Sequence, residues 1–251
     1  MTRPQHGTHR YTLVQLLLAG ALAIGLAACT GVESTSQNGR AEQAPDTPQL
    51  TAIAGETLLA IDRDASVVRI YTYRGGKLAK FGHNHVITAV PAGGRVAARP
   101  GLSGSRFEFS IDLDEMVVDD AAERAAAGPE FSSRPSPDDI AATRTNMLGA
   151  DGLDADRFPR ARIVGEVVAA TRNGAKQQVN LRLNATVHGK TLTLNVPAEV
   201  VRTSRGLRIQ GRTRLSQQAF GITPFSVLLG ALTVLDDVDV SFDLLARPEE
   251  S

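Results

Sequence analysis

The chain has 251 residues, 42% hydrophobic and 22% charged, with 27 basic side chains balanced by 27 acidic ones. That apolar fraction excludes a disordered chain and provides for a real core. The balanced charge, with no stretch that concentrates Lys or Arg, excludes a surface that tracks a phosphate backbone, so no nucleic-acid partner is expected.

The first element is a charge-free apolar run from Leu13 to Ala28, preceded by Arg3 and Arg10 and closed by Leu26-Ala27-Ala28-Cys29. A basic leader, an apolar core and small residues at its end read as a secretory signal over residues 1–28. Cys29, the only cysteine, makes it similar to a bacterial lipoprotein signal, with the thiol as lipid-attachment site; the alternative is an uncleaved helix, since about 20 apolar residues span a bilayer. The lone cysteine allows no intramolecular disulfide. The expected location is the periplasm, held to the cell envelope by lipid. Thr30 after Cys29, rather than aspartate, resembles outer-membrane sorting. Residues 29–54 carry too little apolar surface to order themselves and are expected to form a flexible tether before a single domain over residues 55–247. The tail from Pro248 is expected outside the fold.

From Leu58 onward strand signals dominate. A strand over residues 81–87 would place Phe81, His83, His85 and Ile87 on one face, the two imidazoles about 7 Å apart. Such a pair suits contact with a polar head group, plain structural hydrogen bonding, or a metal ion if a third ligand joins it. Gly75-Gly76 and Gly93-Gly94 read as hairpin turns. Between Arg106 and Asp114, Phe107, Phe109, Ile111 and Leu113 alternate with polar residues, which assigns a dry and a wet face.

Residues 115–156 break the pattern. Ser136-Pro137-Asp138-Asp139 has the chemistry of a helix start, a cap followed by proline and two carboxylates, and the helix is expected to run to Leu148. It either covers one mouth of the sheet, bringing Met147 and Leu148 to the interior, or lies on the surface. The acidic pairs Asp119-Asp120, Asp138-Asp139 and Asp236-Asp237 suit solvated turns and caps. Alternation resumes at Val179, Leu181, Leu183, Ala185 and Val187, continues through Leu192 and Leu194, and returns at Val238, Val240, Phe242 and Leu244. Between the last two, Phe220 to Gly230 is a Gly/Pro-punctuated apolar stretch, with Phe225 and Leu228, that either seals the interior or forms an entrance to it. The count is about eight antiparallel strands, the number at which an up-and-down barrel can hold one ligand; periodicity cannot tell a filled interior from an apolar tunnel.

Asp62 to Val68, Gly82-His83-Asn84-His85, Asp156-Arg157-Phe158-Pro159, Leu183 to Thr191 with His188-Gly189-Lys190, and Phe220-Gly221-Ile222 together resemble the YceI-like family of bacterial exported proteins. The resemblance spans residues 57 to 246. It implies an all-β fold, an eight-stranded antiparallel lipocalin-like barrel with a short helical insertion, whose pore holds a polyisoprenoid, an isoprenoid quinone or a similar amphiphile. It implies no catalytic residues, and a membrane cytochrome as a protein partner; dimerisation is left open. The chain departs from the pattern in its lipoprotein signal and at Gly152-Leu153, where soluble members usually place aromatic residues.

The function expected from the sequence is therefore a lipid-anchored binding protein and not an enzyme, with no cofactor beyond its anchor and any bound lipid. Its ligand contacts are expected from Phe81, His83, His85, Phe107, Phe109, Ile111, Met147, Leu148, Leu181, Leu183, Leu192, Leu194, Phe220, Phe225, Leu228 and Phe242. A metal-dependent enzyme or redox accessory built on His83 and His85, and an interaction module with a solid core, are the rival readings.

Overall fold

A computed structural model describes residues 49–249. The signal, Cys29 and the tether up to residue 48 lie outside the described residues. The strands and helices, in chain order, are β1 (Thr57–Ile61), β2 (Val67–Thr72), β3 (Arg74–Gly75), β4 (His85–Ala89), β5 (Gly93–Ala98), β6 (Arg106–Asp112), β7 (Val117–Val118), α1 (Ala121–Ala126), α2 (Pro137–Leu148), β8 (Arg160–Asn173), β9 (Lys176–Val187), β10 (Lys190–Thr203), β11 (Gly206–Ser216), β12 (Ser226–Val227), β13 (Leu232–Val234) and β14 (Asp237–Pro248).

The long strands follow the alternation directly. Along β9 the inward residues Val179, Leu181, Leu183 and Ala185 are buried while their neighbours are exposed, as an antiparallel sheet with one wet face requires. Two-residue turns join them. Gly174 and Ala175 connect β8 to β9, and His188-Gly189 connects β9 to β10 with both residues at positive φ, the geometry that matches strand twist. Gly189 is required for a second reason: a Cβ there would lie 2.6 Å from the Phe158 ring, which packs edge-on against His188 at 5.3 Å. The Phe-Pro step and the His-Gly turn, distant in sequence, are thus one packed contact.

Pairing runs β1-β5-β6-β8-β9-β10-β11-β14 and returns from β14 to β1, which closes an antiparallel barrel of eight strands with no free edge in the ring. β14 is long enough for two partners on one side: Asp239–Asp243 pair with β2, and Ala246–Pro248 pair with β1. Between those partners a 3-10 turn at Arg63–Ala65 breaks the ladder, and the buried Ser66 Oγ takes up the Leu245 N–H at 3.0 Å. Residues 90–92 likewise separate β4 from β5, and a 3-10 turn at Leu113–Glu115 separates β6 from β7; β2, β4 and β7 pair in turn from β14 and extend the sheet beyond the ring.

Several expectations are corrected. Gly93 and Gly94 are paired residues inside β5, not a turn; at Gly94 a Cβ would stand 2.5 Å from the Phe109 Cβ and 2.7 Å from Ile61 Cδ1, so the glycine permits close strand approach. Gly75 likewise pairs in β3, with Thr233 of β13. Pro248 is the last residue of β14 and Glu249 accepts from Arg95 Nε at 2.9 Å, so the fold extends past the expected boundary. Residues 49–54, expected within the free tether, are held on the wall, where the Leu50 N–H donates to Glu108 and Arg106 Nη2 donates to the Thr51 carbonyl at 2.9 Å. Glu108 is buried and needs such donors.

The helix prediction for α2 matches its observed span. Ser136 and Asp139 form a reciprocal capping box and Pro137 opens the first turn. No α2 residue is fully buried, but Arg144 donates to the carbonyls of Met116 and Asp114, the latter at 2.6 Å, which straps the helix beside β7.

Candidate functional site: an apolar cavity inside the barrel

The inward side chains do not fill the ring. They enclose a cavity of about 450 Å³, within the range of small-molecule sites. On β9 its wall runs from Leu181 to Val187, and on β11 from Leu207 to Leu215, so the space extends roughly 20 Å along the strands.

One end is closed. The β5–β6 loop folds Leu102 into the barrel at φ 67°, where it is buried among Val167, Val200 and Leu207. The other end lies among α2 and the segment between β11 and β14. There Thr143, Asn146 and Met147 of α2, Asp151, Gln217, Thr223 and Phe225 face the space. Polar groups therefore collect at this end, and apart from Ser105 beside Leu102 hydrocarbon lines the rest. Among the described residues the lining contains no lysine and no arginine.

Of the expected contact residues, His85, Phe107, Phe109, Ile111, Met147, Leu181, Leu183, Leu194, Phe220, Phe225 and Phe242 line the cavity. Five do not. Phe81 sits in a 3-10 turn over Ala79–Phe81 and is 68% exposed, because β4 begins only at His85. His83 lies in the irregular stretch before that strand, its ring centroid 6.3 Å from that of His85. Leu148 packs against the cluster that contains Val68, Ile111 and Leu244, and Leu192 against the cluster that contains Phe220 and Ile222. Leu228 is at the exposed tip of its loop. Thr72, Val68 and Ile70 of β2, Ile163 and Val167 of β8 and Ile209 of β11 are lining residues that went unnamed. The alternation in Val67–Thr72 carries a signal for the first three; the Leu102 plug has none, since it comes from an irregular loop.

His85 is the one imidazole in the wall. Its Nδ1 is 2.6 Å from Asp119 Oδ2, and Asp119, completely enclosed, also accepts from the Val86 N–H at 3.0 Å and from Arg124. Arg124 is itself buried and spends its remaining donors on the carbonyls of Asn84, Phe131 and Ser133, each at 2.8 Å. Burial alone would raise the Asp119 carboxyl, but hydrogen bonds from His85 and the Val86 N–H, with Arg124 beside it, hold it below the ordinary carboxylate value. Asp119 was expected as a solvated cap. Only its neighbour is one: Asp120 accepts from the N–H groups of Ala122 and Glu123, while Asp119, at φ 58°, turns inward.

With the ionised Asp119 on Nδ1, a neutral imidazole carries its proton there and leaves Nε2 as an acceptor. No described residue bonds that Nε2. For His83, the nearest carboxylate oxygen is Asp139 Oδ2 at 4.0 Å, and its buried Nδ1 has no hydrogen-bond partner among the described residues. Among those residues no group of three or more His, Cys, Asp or Glu side chains is placed to hold a metal ion.

A closed antiparallel barrel with a hydrocarbon-lined interior, polar at one end, defines a class of protein built to enclose a small apolar guest. The chain belongs to the YceI-like family: the model of the YceI-like domain matches residues 60–246. No curated protein sequence matches it. Among solved structures, BcnA of Burkholderia cenocepacia is similar with a TM-score of 0.50 at 19% identity, over 74% of this chain and 99% of that one. A polyisoprenoid-binding domain from Saccharophagus degradans, implicated in plant cell wall breakdown, has a TM-score of 0.49 at 12% identity, over 76% and 98%. The YceI protein of Campylobacter jejuni has 0.40 at 11%, over 66% and 82%.

Proposed function

We propose that this protein is an exported, lipid-anchored binding protein that shields the tail of a polyisoprenoid, isoprenoid quinone or similar amphiphile from water inside its barrel. The observation that carries the reading is the unfilled cavity, walled by aliphatic and phenyl groups along its length. Each methylene transferred from water contributes about 0.8 kcal/mol, so ten of them supply about 8 kcal/mol before ordering costs. Membership of the YceI-like family supports the same ligand class. Cys29 as the anchor, and the periplasmic face of the envelope as the site of action, rest on the signal alone.

The lining favours an uncharged head group, and an acceptor at His85 Nε2 suits an occupant that carries a hydroxyl, such as an isoprenoid alcohol or the quinol form of a quinone. A phosphate drawn into the cavity would lose water with no lining cation among the described residues to replace it, which is unfavourable. A phenol, quinol or alcohol would instead donate to His85 Nε2. This arrangement is one of binding; the metal reading of the histidine pair lacks a third ligand, since among the described residues no group of three or more His, Cys, Asp or Glu side chains is placed to hold an ion.

Native mass spectrometry with solvent extraction of the purified protein tests the proposal. The expected result is a co-purifying lipid, or uptake of an isoprenoid alcohol in preference to its phosphate. Protein that carries no lipid and takes up neither probe refutes it.

A further inference from the structure

Whatever the cavity holds, the polar end of the barrel carries an apolar tip whose two leucines stand in solvent. Leu228 and Leu229 are exposed, Leu229 completely, and both adopt the left-handed conformation, φ 52° and 54°, that leucine avoids. Two leucines held in water in a strained turn gain nothing from burial within the chain. Phe225, three residues earlier, is half-exposed and also lines the cavity, so the tip is continuous with the interior.

The 3-10 turn over Ala79–Phe81 packs beside it: the Leu78 N–H donates to the Ala231 carbonyl at 2.7 Å, and Gly82 lies against Leu232. That turn adds the exposed Phe81, over whose ring Lys80 Nζ sits at 4.9 Å, and the exposed Lys77 and Arg74. The two segments, residues 73–83 and 217–235, contain no aspartate or glutamate. Asp236, just beyond, is taken up by Ser216 Oγ at 2.6 Å and by the Gln218 N–H at 2.8 Å. An exposed apolar prominence flanked by Arg74, Lys77 and Lys80, which form no ion pair among the described residues although Asp139 stands 4.0 Å from His83, suits an anionic bilayer surface: leucine and phenylalanine enter the acyl boundary while lysine and arginine meet the head groups.

We infer that the Phe225–Ala231 tip and the adjoining Phe81 turn insert into the surface of an anionic membrane, setting the polar end of the barrel against the bilayer. An amphiphile leaving the membrane there would reach the cavity without crossing water. The docking is separate from the N-terminal anchor, which only keeps the protein nearby.

The chain contains no tryptophan, so one placed at the tip is a clean reporter. Full-length protein carrying Leu229→Trp is reconstituted into vesicles of phosphatidylethanolamine and phosphatidylglycerol, with Val164→Trp on the outer wall as control. The expected result is blue-shifted emission and quenching by brominated lipid for Leu229→Trp alone. Adding Lys77→Glu and Lys80→Glu should weaken that signal about tenfold or more in apparent lipid affinity, since each cation near an anionic surface contributes on the order of 1 kcal/mol. In the unaltered chain, amide exchange over residues 225–231 should slow on the same vesicles and not on phosphatidylcholine. Water-like emission on every vesicle, equal quenching of both reporters, or a shift that grows with protein concentration and needs no lipid would each overturn the inference, the last in favour of a second copy as partner.

Discussion

Asp119 is the side chain whose loss the structure can least absorb, because it satisfies His85, the Val86 N–H and the buried Arg124 at once. Removing one member of a buried ion pair costs about 3 to 5 kcal/mol, since the partner charge stays enclosed without compensation. Asp119→Ala should lower stability in urea at pH 7 by that order, and Asp119→Asn by less, because the amide oxygen still accepts. The pH dependence follows from the depressed Asp119 carboxyl: its contribution is complete above the unfolded value of about 4 and is lost as pH falls through the lower folded value. Wild-type and Asp119→Ala unfolding midpoints should therefore lie apart at pH 6 and converge below pH 4; parallel curves would refute the assignment. Sequence reasoning singled out His85 but not its partner. Position 119 is separated from it by β5, β6, a 3-10 turn and β7, and no spacing rule relates the two. The adjacent Asp120 obeys the capping rule so well that both carboxylates looked alike.

Long, unbroken hairpins were legible and interrupted strands were not. The alternation on β6, β9 and β14 names inward residues that do line the cavity, because period two persists long enough to fix a face. β4 and β5 are instead short, and the stretch from Gly82 to Asn84 that leads into β4 is irregular, so period-two reasoning placed Phe81 and His83 on a strand that does not extend that far. Gly94 shows why the β5 wall is intolerant: Gly94→Val puts branched carbons into Phe109 and Ile61, and overpacking of this kind costs about 1 to 3 kcal/mol, measurable as a lower urea midpoint with an unchanged slope. Helix α2 should behave differently. Its capping box is local and no residue in it is fully buried, so Ser136→Ala should cost about 1 kcal/mol confined to the helix. Amide exchange in Ile140–Leu148 would speed up about fivefold while exchange in β9 and β10 stayed unchanged. If α2 covers the mouth, release of a bound isoprenoid probe should quicken with it.

Ring closure gives the molecule a rigid wall and leaves a space that its own side chains do not claim. Eight strands with leucine, valine and single phenylalanines directed inward, and with Gly94, Gly165 and Gly211 where strands or rings approach closely, fall short of filling the interior. Composition could not show this shortfall, because it depends on which inward positions face each other across the barrel. The unfilled space makes a substitution that enlarges a wall residue unlike one in a packed core. Ala185, buried on β9 and facing the cavity, can accept a phenyl ring that projects into the void rather than into neighbours, where new dispersion contacts offset the cost of any local shift. Ala185→Phe should therefore fold with a stability within about 1 kcal/mol of the parent, whereas the same change in a solid core would cost more. Uptake of an isoprenoid alcohol should fall about tenfold or more, while Val164→Phe on the outer face leaves it unchanged. Thermal stability gives an independent readout: a guest at a hundred times its Kd adds about 2.7 kcal/mol to the parent, and this increment should be missing from Ala185→Phe. A filled variant that still gains the full increment would place the guest outside the barrel.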